Sequence, residues 1–168
     1  MEKESFMKSK YVGYLILINL VLVLFFFNKD VMHKEDTLQN GQLILLKLRP
    51  LDPRSLMQGD YMRLRYRITS NIYYDDIPKR GYLVLSVDEN KVGHKIRFQK
   101  DINPLQKDEQ ILHYYYGERA PVLGAESYFF EEGSGSKYDS AAYGGIITDQ
   151  DGNGILTGLY DKDFKKIE

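Results

Sequence analysis

The stretch YMRLRYRIT, residues 61–69, alternates between two kinds of side chain along its whole length. Successive side chains of an extended strand point to opposite faces, so this period of two separates an apolar face from a basic one. The two faces carry Met62, Leu64, Tyr66 and Ile68 on one side and Tyr61, Arg63, Arg65 and Arg67 on the other. The stretch therefore predicts a half-buried β-strand with its arginines in solvent.

The same period of two recurs through the chain after residue 40, interrupted by the Gly, Pro, Asn and Asp residues that are typical of turns. Residues 88–91 (DENK) separate two such segments and predict a hairpin with a four-residue loop. We predict a mainly β fold, an antiparallel sandwich or small barrel of about seven or eight strands. The predicted strands are 42–49, 61–69, 82–87, 92–98, 111–116, 127–130, 145–148 and 155–160.

An unbroken apolar run, YVGYLILINLVLVLFFF, occupies residues 11–27. As a helix it would extend about 25 Å, close to the roughly 30 Å thickness of a bilayer's hydrocarbon core. A cleaved signal peptide would have a shorter apolar segment that ends in small residues, whereas this run ends in three phenylalanines followed by Asn28. We interpret residues 11–27 as a retained transmembrane anchor of a single-pass protein in the cell membrane.

Lysines flank the apolar run unevenly, with Lys3, Lys8 and Lys10 before it and Lys29 and Lys34 after it. The cytoplasmic flank of a membrane helix carries the excess of basic residues. We therefore expect residues 1–10 to form a cytoplasmic tail, 28–40 a polar linker and 41–168 an extracytoplasmic β domain. Asn19, in the middle of the run, could hydrogen-bond a helix of a partner protein.

The composition excludes several classes of function. The chain contains no cysteine, so disulfides, thiol catalysis and thiolate metal sites are ruled out. Its 23 basic and 24 acidic residues give a net charge of −1, which argues against a nucleic-acid partner. The charges are unevenly divided: residues 47–100 carry twelve basic and six acidic side chains, and residues 101–168 carry six and thirteen. We expect these two halves to face each other within one domain.

Residues 59–66 read GDYMRLRY, and this segment resembles the G-D-Y-x-x-L-x-Y motif of a bacterial family of small membrane-anchored proteins. The preceding DPRSL (52–56), the later YF and EG pairs (128–129 and 132–133) and the glycine-rich final hairpin are also similar to it. The resemblance covers about residues 42–160 and implies a membrane anchor, a multi-span membrane protein as frequent companion, and no established activity. The motif residues are Gly59, Asp60, Tyr61, Leu64 and Tyr66.

The motif has a structural interpretation and a functional one. In the first, which we favour, Gly59 permits a positive φ before the strand, Asp60 bonds nearby N–H groups, and Leu64 and Tyr66 enter the core. In the second, the arginines beside Tyr61 form a basic stripe for lipid phosphate, an anionic glycan or an acidic partner. The binding candidates of this stripe are Arg63, Arg65 and Arg67.

A catalytic alternative rests on Ser55 and Lys79, whose order behind an anchor is similar to that in membrane-bound signal peptidases, which are serine-lysine hydrolases. A lysine that is desolvated can lose its proton and then accept that of the serine. Signal peptidases have Met directly after the serine, whereas Leu56 follows here, and Lys79 lies in the polar segment DDIPKR. We therefore favour a protein that is not an enzyme and assign no catalytic residue.

A calcium-binding alternative rests on DQDGNG, residues 149–154, which reproduces the first six positions of a calcium loop. Its candidate ligands are Asp149, Asp151 and Asn153, but Tyr160 stands where the loop requires a bidentate Glu. The Asp-Gly and Asn-Gly pairs are also typical of hairpins, so we favour a plain turn and expect no cofactor.

These observations favour an extracytoplasmic protein that acts by binding, as an accessory subunit of an integral membrane partner. The anchor places it at the lipid bilayer, and no convergent catalytic set accompanies the strands.

Overall fold

The chain divides into two compact units, Met1–Asp36 and Thr37–Glu168. A computed structural model describes residues 2–49, 61–118 and 120–168. The first unit consists of helix α1, which spans Glu2–Asn40 and whose last turn belongs to the second unit. The second unit is the β domain.

Helix α1 contains, between Tyr11 and Asn40, a segment that is long and apolar enough to cross a membrane. Its apolar side chains are exposed, with Leu15 and Phe27 each 65% accessible. A continuous apolar surface of this kind is normally covered by lipid or by another protein. The helix is therefore long and apolar enough to cross a membrane, as the sequence predicted for residues 11–27.

The polar linker predicted at residues 28–40 is helical. Its sequence, NKDVMHKEDTLQN, is rich in good helix formers and lacks Gly and Pro. The helix ends at Asn40 because Gly41 follows, and the N–H of Gly41 donates to the carbonyl of Thr37 at 2.9 Å. The connector is thus a continuation of α1 and ends inside the second unit.

The described parts of the β domain contain nine strands in three antiparallel sheets, with the orders β1-β8-β9, β2-β7 and β4-β3-β5-β6. The predicted mainly β, antiparallel fold is confirmed. Within the described residues none of the sheets closes into a barrel. The strands are β1 Gln42–Lys47, β2 Tyr61–Arg63, β3 Arg80–Val87, β4 Gly93–Gln99, β5 Glu109–Tyr116, β6 Pro121–Val122, β7 Ser127–Phe129, β8 Tyr143–Thr148 and β9 Gly154–Tyr160.

The core lies where the two larger sheets and the segment after β2 meet. Alternate residues of β1, β3, β5 and β8 enter it, among them Leu46, Leu85, Leu112 and Ile146, each at most 1% exposed. The sheets also touch directly, since the N–H of Leu45 donates to the carbonyl of Lys91 at 2.7 Å. One cluster therefore holds both sheets together.

An ion pair spans the four-stranded sheet from β4 to β5. The guanidinium of Arg97 donates to both carboxylate oxygens of Glu109, at 2.5 and 2.8 Å, and the N–H of Gln106 donates to the same carboxylate at 3.0 Å. The hydrogen bonds from Arg97 and then Gln106 lower the pKa of Glu109 to about 2. This contact joins the basic part of the sequence to the acidic part.

The Glu109 pair predicts a specific loss of stability in acid. Because the folded-state pKa of about 2 lies below the ordinary value of 4.5, the stabilisation is complete above pH about 4.5 and disappears as the pH falls towards about 2. Arg97→Met should lower the melting temperature at pH 6, and the gap to the wild type should close by pH about 2. Circular dichroism of the full chain in neutral detergent, with exposed Lys107→Met as control, measures this. Parallel curves for the wild type and Arg97→Met would contradict it.

Candidate functional site

The segment predicted as one strand at 61–69 connects two sheets. It begins as β2, where Tyr61 pairs with Phe129 of β7, and the ladder ends at Arg63. Further along, Tyr66 forms an antiparallel bridge with Leu48, and residues 67–69 form a 3-10 turn. The predicted strand is therefore correct only at its start, because the segment changes its partner from β7 to the end of β1.

The alternating burial is confirmed for residues 62–67, although the regular pairing ends at Arg63. It fails after them, because Ile68 is only half-buried and Thr69, which the alternation places on the side of the arginines, is 8% exposed. Met62, Leu64 and Tyr66 are each 1% exposed. The arginines between them, Arg63, Arg65 and Arg67, are all exposed. Over residues 62–67 the period of two therefore predicted which side chains are buried, whichever hydrogen bonds the backbone forms.

Two motif residues, Leu64 and Tyr66, lie in the core. The hydroxyl of Tyr66 donates to the carbonyl of Ala125 at 2.5 Å, and burial, with a smaller contribution from nearby Glu126, raises its pKa. Gly144 packs so closely that an added Cβ would lie 3.0 Å from the Tyr66 ring. These residues support the structural interpretation of the motif, whereas Gly59 and Asp60 lie outside the described residues.

Basic side chains from two chain segments share one face of the β domain. Because Leu48 is bridged antiparallel to Tyr66, the register places Lys47 opposite Arg67 and Arg49 opposite Arg65. The N–H of Arg49 donates to the carbonyl of Arg65 at 2.8 Å, in agreement with this register. All four side chains are exposed. Like charges directly opposite one another on a sheet destabilise it.

A cleft with a volume of about 720 Å³ opens beside this face, and we call it the basic cleft. Three cationic side chains line it, and among its described lining residues there is no carboxylate. Two alanines are part of its wall, and Asn71 adopts a left-handed conformation with φ of 58°. The lining residues are Lys47, Leu48, Arg49, Arg67, Ser70, Asn71, Ala141 and Ala142.

The sequence identified only part of this basic cleft. Arg67 was a binding candidate, but Arg63 and Arg65 do not line the cleft. Lys47 and Arg49 were not candidates, although their alternation around Leu48 already predicted that they share a face. Their pairing with residues 65–67 is non-local and could not be read from either segment alone.

The structure describes one of the two catalytic candidates, Lys79. Ser55 lies outside the described residues. Lys79 is exposed, and its carbonyl accepts the N–H of Tyr116 at 2.8 Å. A lysine acts as a base near neutral pH when burial or a neighbouring cation lowers its pKa, so the exposure of Lys79 does not favour this role.

The turn that resembles a calcium loop is closed by its own hydrogen bonds. One carboxylate oxygen of Asp149 accepts the N–H groups of Asp151 and Asn153, at 3.0 and 2.8 Å. The other accepts the side-chain amide of Asn153 at 2.9 Å and the hydroxyl of Thr37 at 3.1 Å. Although burial opposes it, these bonds lower the pKa of Asp149. Asp149 therefore serves as the acceptor that shapes the β8–β9 hairpin and holds Thr37.

A second cleft, of about 600 Å³, lies at one end of the four-stranded sheet. Two of its lining residues are aromatic neighbours: the ring centroids of Tyr82 and His113 lie 4.4 Å apart, with the ring planes tilted by 36°. Arg80, Lys100 and Asp101 give it mixed charge. The basic cleft is the stronger candidate for a ligand site because its charge has a single sign.

Together, the fold and the basic cleft define a small β-domain protein carried behind one apolar helix that is long enough to cross a membrane. The chain belongs to the GDYXXLXY protein family, which it matches over residues 23–159. The match begins inside the apolar part of α1 and ends in β9, so it confirms the family resemblance. No curated protein and no solved structure matches the chain.

Proposed function

We propose that this chain is a membrane-anchored accessory protein whose β domain lies outside the cytoplasm and binds an integral membrane partner. The observation that carries the proposal is the exposed apolar surface of α1, which is followed after a short connection by a β domain with its own core. The three lysines before the apolar run support the proposed orientation.

The connection limits how far the β domain can work from the bilayer. The domain begins at Thr37, which is 2% exposed and bonded to Asp149 and Gly41. Nine residues, 28–36, lie between Phe27 and Thr37, and the ten steps from one to the other cover about 15 Å as helix and at most about 35 Å as extended chain. Such a short tether gives the domain a high effective concentration towards membrane proteins and lipid headgroups.

Two further features support a membrane partner. Asn19 lies in the middle of the apolar run and is exposed, and an amide there can hydrogen-bond a neighbouring helix. The family resemblance also implies a multi-span membrane protein as companion. The hydrolase alternative would need a desolvated Lys79, so binding is the function that the geometry supports better.

Photo-crosslinking in cells tests the proposal. A photoreactive amino acid is placed either at Leu20 in α1 or at Tyr73, which is 73% exposed on the β domain. We expect a specific integral membrane protein to be captured from at least one position. If Asn19 bonds that partner, Asn19→Leu should reduce capture from Leu20 about threefold, because one interhelical hydrogen bond contributes about 0.6 kcal/mol.

An anchor exchange separates the two modes of contact. Replacing residues 11–27 by an unrelated leucine-alanine segment of the same length keeps the protein in the membrane. Capture that survives the exchange assigns the contact to the β domain, and capture that is lost assigns it to α1. Repeated recovery of no integral membrane protein from either position, with the native anchor inserted, would overturn the proposal.

A further inference from the structure

The basic cleft brings together three cations that the described parts of the chain do not neutralise. Lys47, Arg49 and Arg67 are exposed and line one space. Across residues 2–49, 61–118 and 120–168, no carboxylate forms an ion pair with any of the three. As far as these described residues are concerned, their charges remain available to an external anion.

The arrangement of these cations is unfavourable without such an anion. Lys47 lies opposite Arg67 across the bridge between Leu48 and Tyr66, and like charges in directly opposed positions repel. Backbone hydrogen bonds fix the spacing of the segments that carry these cations. The N–H of Leu48 donates to the carbonyl of Ala142, and the N–H of Arg49 donates to the carbonyl of Arg65. An anion placed between the cations converts this repulsion into attraction.

The donors of the cleft suit a phosphate group better than a carboxylate. One guanidinium satisfies a carboxylate with two parallel hydrogen bonds, whereas a phosphate offers three or more oxygens to several donors. Arg49 and Arg67 provide two such planar donor groups, and Lys47 adds a third cation. The side-chain amide of Asn71, which lines the same space, provides neutral donors.

We propose that the basic cleft binds the phosphate group of a phosphate-bearing ligand. This site goes beyond the accessory role and does not depend on which membrane protein is the partner. Both a phospholipid headgroup that is a phosphate monoester, as in phosphatidic acid, and a soluble phosphate monoester carry the required chemistry. The short connection between Phe27 and Thr37 makes headgroups the nearest source, and the experiment below separates the two.

Calorimetric titration of the full-length protein, in neutral detergent at fixed ionic strength, tests the site with two probes. These are inorganic phosphate and dihexanoyl phosphatidic acid, and dihexanoyl glycerol is the control for the acyl chains. We expect saturation at one phosphate group per chain. Arg49→Gln and Arg67→Gln should each weaken binding at least about tenfold, because each removes charge-assisted hydrogen bonds. Saturation by both probes identifies free phosphate as sufficient, and saturation by the lipid alone identifies a headgroup site.

Two further variants keep the test specific. Lys107→Gln removes an exposed positive charge from a part of the sequence that does not contribute to the basic cleft. Arg63→Gln removes an exposed positive charge from the segment that contains Arg67, at a position that does not line the cleft. Both should bind as the wild type does. Arg67→Gln should unfold at the same temperature as the wild type or a higher one, because it relieves repulsion. Equal binding by the wild type and both cleft variants, an equal loss in Arg63→Gln, or no saturation with either probe would overturn the proposal.

Discussion

Tyr66→Ala is expected to destabilise the β domain by about 3–5 kcal/mol, the usual effect of removing a large aromatic side chain from a core. Tyr66 is 1% exposed and contributes to the cluster that the sheets share. The substitution removes its ring and also leaves the carbonyl of Ala125 without the hydroxyl that donates to it. Thermal unfolding of the full chain in neutral detergent should show a melting temperature lower by more than about 10 °C.

Two companion variants identify the source of this loss. Tyr66→Phe keeps the ring and removes only the donor to Ala125, so it should destabilise by about 1–3 kcal/mol. Tyr73→Ala makes the same replacement at a side chain that is 73% exposed and should change stability by less than about 0.5 kcal/mol. If Tyr66→Ala remained within about 1 kcal/mol of the wild type, the described packing of the motif segment would be wrong.

The result would also test the structural interpretation of the GDYXXLXY motif. Leu64 and Tyr66 are buried, and the segment that contains them bonds first to β7 and then to the end of β1. Substitutions at these two positions should therefore affect any function through folding. Substitutions of the exposed arginines, Arg65 and Arg67, should leave folding intact, so they can test a binding role separately.

Local patterns predicted much of the fold. The alternation identified the buried and exposed side chains of residues 62–67 but not those of Ile68 and Thr69, and the turn at 88–91 was predicted as a hairpin. The length of the strand was not predicted, because it depends on where β7 ends and β1 takes over as partner. Strand β6 was missed because it has only two residues, Pro121–Val122, and lies at the edge of the described four-stranded sheet, where it pairs with β5.

The candidate site was predicted less completely than the fold, because it too depends on contacts between segments that are far apart in sequence. Arg67 was named from its own segment, whereas Lys47 and Arg49 join it through a bridge between residues that are far apart in sequence. Periodicity reports the face on which a side chain lies but not the segment that lies beside it. The roles proposed for Ser55, Gly59 and Asp60 stay predictions, because these residues lie outside the described parts of the chain.

The orientation of the anchor determines which of two introduced cysteines a membrane-impermeant reagent can label in intact cells. The chain contains no cysteine, so one introduced thiol is the only thiol present. Glu89→Cys places it in the exposed β3–β4 turn of the β domain, and Ser5→Cys places it before the apolar run. Because the basic flank of a membrane helix stays in the cytoplasm, the two thiols should lie on opposite sides of the bilayer.

Labelling of intact cells with a small membrane-impermeant maleimide is the most direct test of an anchored protein whose β domain works outside the cytoplasm. We expect Glu89→Cys to be labelled in intact cells and Ser5→Cys to be labelled only after the membrane is permeabilised. Labelling of Ser5→Cys in intact cells, together with protection of Glu89→Cys until permeabilisation, would contradict the proposed function.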